Sequence, residues 1–144
     1  MQKPVTPPRN PPKTRDLLRV LVVDDDPLQL EINADLLRGL GVVDITTASS
    51  GDLALKAVAR AQGGGAFDLM LCDLYMPGMD GFQFMEAVVG NGFFGALIIV
   101  SGQSSDVRHS ASLVAQLRRF KWLGTLGKPV QRSDLSELMA KLPG

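Results

Sequence analysis

Six side chains able to do chemistry stand at the ends of four apolar runs. Asp24, Asp25 and Asp26 follow LLRVLVV at 17–23, Asp73 follows LMLC at 69–72, Ser101 follows ALIIV at 96–100, and Lys128 follows WLGTL at 122–126 after one glycine. A carboxylate at the mouth of a core strand must be paired, metal-bound or protonated, because burying a bare charge is costly. Acids crowded together raise one another's pKa unless a cation stands between them. A hard divalent cation with oxygen ligands meets that need; Mg2+ keeps several waters and takes one or two carboxylates plus a phosphate oxygen. Lys128 offers a point charge to a phosphoryl oxygen, and the Ser101 hydroxyl can donate to another. The set points to phosphoryl transfer onto a carboxylate, giving an acyl phosphate, with the rate coming mostly from positioning and electrostatics. Asp73 is the expected nucleophile: it stands alone at its strand end, opposite the acidic cluster.

These residues span 104 positions from Asp24 to Lys128, so the fold must bring them together. The apolar, β-branched runs predict strands at 17–23, 42–48, 66–72, 96–100 and 122–126. Helical spacing predicts helices between and after them. The first covers 28–38, behind Pro27 and an acidic cap, with Leu30, Ala34, Leu36 and Leu37 inward. The second covers 53–62 behind Ser49-Ser50-Gly51-Asp52, with Leu53, Ala54, Ala57, Val58 and Ala61 inward. The third covers 82–89 behind Asp80, with Phe82, Met85 and Val89 on one face. A fourth predicted helix runs from Ser104 or Ser105 to about Phe120. The last starts at Gln131 or Ser133 and turns Leu135, Leu138, Met139 and Leu142 inward. Strict strand–helix alternation predicts an α/β fold with a parallel sheet covered on both faces. Ligands in such sheets bind at the carboxyl ends of the strands, where the strand order reverses, and all six side chains fall there.

At 144 residues the chain suits one domain. Its formal net charge is zero, which argues against a general nucleic-acid binder. Residues 1–16 hold five of the nine prolines and a net charge of +3, and read as a flexible, Pro-rich basic leader before a folded body at 17–143. The single cysteine, Cys72, allows no internal disulfide and fits a reducing compartment. No apolar run approaches the ~20 residues of a membrane span, and no signal-peptide core follows the N-terminus, so a cytoplasmic protein is expected, with no membrane partner.

Four segments in order, VLVVDDDP at 20–27, LMLCDLYMPGMDG at 69–81, LIIVSG at 97–102 and GKP at 127–129, resemble the receiver domain of bacterial two-component response regulators. The resemblance implies a doubly wound (βα)5 fold, flavodoxin-like and CheY-like. It implies that Asp73 accepts phosphate from the phosphohistidine of a sensor histidine kinase or a phosphotransfer protein. Mg2+ or Mn2+ would be bound by Asp25 and Asp73, by the backbone carbonyl of Tyr75, and by Asp24 through water. Ser101, Gly102 and Lys128 would form the phosphate-contacting switch set, with Ser101 the switch hydroxyl and Lys128 the phosphate-contacting lysine with a cis bond to Pro129. Tyr75 and Gln103 flank the site and are expected to tune the phosphoryl lifetime. The phosphorylated form would change the face made by the fourth predicted helix and fifth strand, where a partner or output domain binds. Such a chain is not an enzyme acting on a separate substrate; it catalyses only its own phosphorylation and dephosphorylation.

Two features depart from the pattern. Thr125 stands where the family usually carries the aromatic that rotates inward on activation. The 27 residues from Ser101 to Lys128 exceed the commonest spacing by about a helical turn. That length, with LGTLGKPV, resembles receivers attached to EAL-type cyclic-di-GMP phosphodiesterases, so such an output domain is expected in cis or in trans; a homodimer is left open. Two alternatives remain: a receiver-shaped interaction module that is never phosphorylated, and a haloacid-dehalogenase-type phosphohydrolase using Asp24-x-Asp26 with Lys128. Elsewhere the simpler readings stand. Asp26 is a helix cap, His109 a solvated helical side chain, Cys72 a small buried one, Phe93 and Phe94 pack locally, and Arg118, Arg119, Lys121 and Trp122 form a helix end or a binding face.

Overall fold

The structure is a computed structural model that describes residues 14–61, 65–73, 76, 78, 80–102 and 120–142, with only the backbone of residue 82. Five parallel strands form one sheet: β1 (Arg19–Val23), β2 (Asp44–Ala48), β3 (Leu69–Cys72), β4 (Ala96–Ser101) and β5 (Lys121–Gly127), in the order β2-β1-β3-β4-β5. This is the flavodoxin-like doubly wound order. Four α-helices are described: α1 (Pro27–Gly39), α2 (Gly51–Ala61), α3 (Gly81–Gly90) and α4 (Arg132–Met139). The predicted helix from residue 104 to 120 lies outside the described residues except at Phe120, as do His109, Arg118, Arg119 and the leader at 1–13.

Period-two alternation divides the strand residues between two apolar layers. Leu21, Val23, Met70, Cys72, Leu97 and Ile99 pack under α2 (Ala54, Val58, Ala61) and α3 (Phe84, Met85, Val88). Val20, Val22, Leu69, Leu71, Ile98 and Val100 pack under α1 (Leu30, Leu37) and α4 (Leu135, Met139). All of β3 and β4 is buried, as expected of central strands covered on both sides. Gly95 lets β4 start tightly against the segment that leads into β3: a Cβ there would fall 2.6 Å from the Phe67 carbonyl oxygen.

Several boundaries differ from the sequence expectation. β1 begins at Arg19, because Arg15–Leu17 form a 3-10 turn that leaves Leu17 exposed. The Arg15 guanidinium donates to the Leu40 carbonyl and to Ser136 Oγ, fastening that turn to the end of α1 and the middle of α4. β2 begins at Asp44, with Val43 exposed, and β3 at Leu69. The described inner face of α3 is Phe84, Met85 and Val88, with Val89 only half-buried, and the side chain of residue 82 lies outside the described residues; Leu53 on α2 and Phe94 after α3 are exposed, whereas Phe93 belongs to the core. Apolar residues in a helix of such high mean hydropathy do not themselves reveal which face is inward. β5 includes Trp122 as expected and extends the expected 122–126 by one residue at each end, so Lys121 belongs to the strand and not to a helix end. A register shift opposite Leu97 and Ile98 bulges the strand there; the Trp122 indole donates to the Gly124 carbonyl and packs against the α2–α3 side of the core. No helix among the described residues is long and apolar enough to cross a membrane.

Candidate functional site

β1 and β3 lie side by side, and the connections that leave them diverge to opposite faces, which opens a crevice at their carboxyl ends. The ladder runs one residue beyond each strand. The Asp24 amide donates to the Ala48 carbonyl at 3.2 Å and the Asp73 amide to the Val23 carbonyl at 3.0 Å, setting both carboxylates at the same height. Asp24 is 1 % exposed and Asp73 6 %. Asp25 points outward beside them and is exposed. One carboxylate oxygen from each of Asp24, Asp25 and Asp73 lies within 4.8 Å of the others.

Asp26 is not part of this cluster. Its side chain accepts from the Leu28 amide at 2.9 Å and caps α1, with Pro27 following at the first helical position. The Asp26 amide in turn donates to Asp24 Oδ1 at 2.9 Å, so the start of the helix orients the buried acid.

Lys128 comes from the far edge of the crevice. Its Nζ lies 2.8 Å from Asp73 Oδ2 and 2.8 Å from Asp24 Oδ2, bridging the two buried carboxylates. The Lys128 amide donates to the Ser101 carbonyl at 3.1 Å, and the Lys128–Pro129 peptide is cis. Ser101, 1 % exposed, pairs with Gly127 at the ends of β4 and β5, and Gly102 lies alongside the lysine stem. Burial pushes the Asp24 carboxyl above the usual range; the Lys128 and Asp26 hydrogen bonds and the lysine charge oppose this without cancelling it. Burial lowers the Lys128 ammonium, but hydrogen bonds and charge from Asp24 and Asp73 outweigh it and hold the pKa above the ordinary lysine value. Burial, followed by the Asp73 and Asp24 charges, drives the Cys72 thiol upward, so Cys72 is an inert core thiol.

The donor set is all oxygen, suited to a hard cation. Opposite ligands of an octahedral Mg2+ are about 4.2 Å apart at ~2.1 Å each, so three oxygens separated by no more than 4.8 Å need to close by at most about half an ångström to hold one ion. Tyr75 and Gln103 lie outside the described residues. Thr125, half-buried on β5 opposite Ile99, has a buried hydroxyl with no hydrogen-bond partner among the described residues.

In the sequence, Ser49 to Asp52 look only like a helix cap. Ser50 Oγ does accept from the Leu53 amide at 3.1 Å. The same segment also forms one wall of a groove of about 330 Å3 lined by Asp25, Ser49, Ser50, Gly51, Asp52, Met76 and Gly78. Only the register of β2 beside β1 brings that wall next to Asp25.

The family model for the response regulator receiver domain matches residues 20–140. Over 124 residues the chain is 29 % identical to the cyclic di-GMP phosphodiesterase RocR of Pseudomonas aeruginosa, covering 86 % of this chain and 31 % of that protein. Over 78 residues it is 41 % identical to the sensor protein GacS of Pseudomonas syringae, covering 54 % of this chain and 8 % of that one. The chain thus spans less than a third of either relative. Among solved structures, a CheY-like receiver domain from Methylobacillus flagellatus superposes with a TM-score of 0.72 at 22 % identity, over 88 % of this chain and 99 % of that one. The chemotaxis protein CheY4 of Vibrio cholerae gives 0.69 at 24 %, over 88 % and 98 %; these two likenesses concern the fold. The chain belongs to the response regulator receiver domain family.

Proposed function

We propose that the chain is a phosphoacceptor switch in which Asp73 takes a phosphoryl group from the phosphohistidine of a sensor histidine kinase or phosphotransfer protein, in the cytoplasm. The observation that carries the reading is the position of Lys128 Nζ, 2.8 Å from both Asp73 and Asp24, beside three carboxylates that converge within 4.8 Å. In the transfer, an Asp73 carboxylate oxygen bonds to phosphorus as the P–N bond breaks and imidazole leaves. Lys128 is within reach of the oxygens that gather charge, and exchanging its Asp73 contact for a phosphoryl oxygen keeps the ammonium paired. Asp24, Asp25 and Asp73 would hold Mg2+, which when bound offsets negative charge on the phosphoryl oxygens. The Ser101 hydroxyl is our candidate for a hydrogen bond to the phosphoryl group. Asp24 is the poorer nucleophile: it is the more deeply buried of the two acids, and its Oδ1 is held by the Asp26 amide. That weighs against a phosphohydrolase built on Asp24. The chain acts on itself rather than turning over a separate substrate.

The output follows the likeness to RocR: a cyclic-di-GMP phosphodiesterase domain, in cis or in trans, that senses the state of the receiver. The test is phosphoryl uptake from a small donor with Mg2+, read on a phosphate-affinity gel. The wild type should be labelled and Asp73→Asn should not. Equal labelling of the two, or none of the wild type, ends the proposal.

A further inference from the structure

The groove beside the acid cluster carries a charge pattern that bears on which phosphodonor the site accepts. It is walled on one side by Ser49, Ser50, Gly51 and Asp52 at the start of α2, and on the other by Met76 and Gly78, with Asp25 facing into the same space. Asp25 and Asp52 are both exposed, and neither has a hydrogen-bond or ion-pair partner among the described residues. Lys56, one turn further along α2, is exposed and pairs with neither. An ion bound by the three converging acids would offset the charge of Asp25. It would leave the Asp52 charge standing over the groove. Asp52 also lies in the first turn of α2, where it masks the positive end of the helix. The groove therefore presents negative potential to whatever departs through it.

We infer that Asp52 is a specificity-determining residue that selects donors releasing a neutral or cationic nitrogen over donors releasing a carboxylate. The inference rests on Asp73 being the phosphoacceptor. With phosphoramidate or a phosphorylated imidazole, the P–N bond breaks as the Asp73 oxygen–phosphorus bond forms. The leaving nitrogen already carries its proton and departs uncharged. With acetyl phosphate, the P–O bond breaks and acetate departs as an anion past Asp52. Removing the Asp52 charge takes away that repulsion and uncovers the helix N-terminus. Both changes favour the anionic leaving group.

The experiment measures initial phosphorylation rates of wild type, Asp52→Asn and Asp52→Glu with acetyl phosphate and with phosphoramidate, at saturating Mg2+ and at low and high salt. Asp52→Asn should raise the acetyl phosphate rate relative to the phosphoramidate rate about two- to three-fold at low salt, the size of one unscreened charge across a groove. The gain should vanish at high salt, and Asp52→Glu should keep the wild-type ratio. A weakened first turn of α2 would slow both donors alike and leave the ratio unchanged, so an unchanged ratio overturns the role of Asp52 while labelling of Asp73 stands. A wild type labelled by neither donor, or an Asp73→Asn variant labelled as well as wild type, overturns the phosphoacceptor reading and this inference with it.

Discussion

Lys128 holds two buried acids together with one ammonium, and the cost of removing it follows from that geometry. Lys128→Met leaves Asp24 and Asp73 facing each other without a cation. The loss should be about 1–3 kcal/mol in urea denaturation without metal, below the figure for a fully buried pair because the lysine is partly open to solvent. Saturating Mg2+ should restore part of it, since the ion supplies charge to the same oxygens. The pH dependence has a defined sign. The folded pKa of Lys128 stands above its ordinary 10.5, so its contribution is complete below pH 10.5 and is lost as pH rises through the folded value. The stability gap between wild type and Lys128→Met should therefore narrow above that pH, and a gap that stays constant counts against the ion triad. Asp24 behaves in the opposite sense from a usual surface acid. Its folded pKa is raised above 3.8, so it stabilises the fold only when protonated and that contribution is lost as pH rises through the folded value.

At the scale of elements, the three consecutive acids divide into different tasks because helix α1 begins among them. Asp26 caps the helix; Asp24 is oriented by the Asp26 amide; Asp25 is left to face the crevice. Asp26→Ala should cost about 1 kcal/mol of stability, typical of a lost cap, and still allow phosphorylation of Asp73. Loss of labelling in a folded Asp26→Ala protein would move Asp26 from cap to site. The same logic governs β5, where the bulge near Gly124 keeps Trp122 packed on one side of the sheet while the strand end still delivers Lys128 beside Ser101.

At the scale of the whole molecule, three converging acids would let the folded state hold a cation that the unfolded chain binds poorly. Mg2+ should therefore raise thermal stability, by about 1.4 kcal/mol at ten times its dissociation constant. A chelator should reverse the gain, and Asp25→Asn should reduce it. A melting temperature indifferent to Mg2+ would show that the oxygens do not close on an ion.

Much of this was legible in the residues. Apolar runs broken by acids, a serine and a lysine give five strands and the edge on which their chemistry lies, because a strand buried on both faces has little choice but to be uniformly apolar. The Asp26, Ser50 and Asp80 caps were readable too, since a short oxygen-bearing side chain before a helix satisfies a free amide in its first turn. Strand starts were not: Leu17, Val43 and Ala66 look like strand residues, and only the neighbour's register decides where pairing begins. Nor was the α3 face, where apolar residues surround the helix and packing alone selects Phe84, Met85 and Val88. The amino-acid sequence by itself determined the fold class and the residue types at the strand ends. Tertiary structure alone decided that Lys128 bridges Asp24 and Asp73, and that the start of α2 walls the groove beside Asp25. Both depend on distances between segments remote along the chain, which strand order and register set and local pattern does not record.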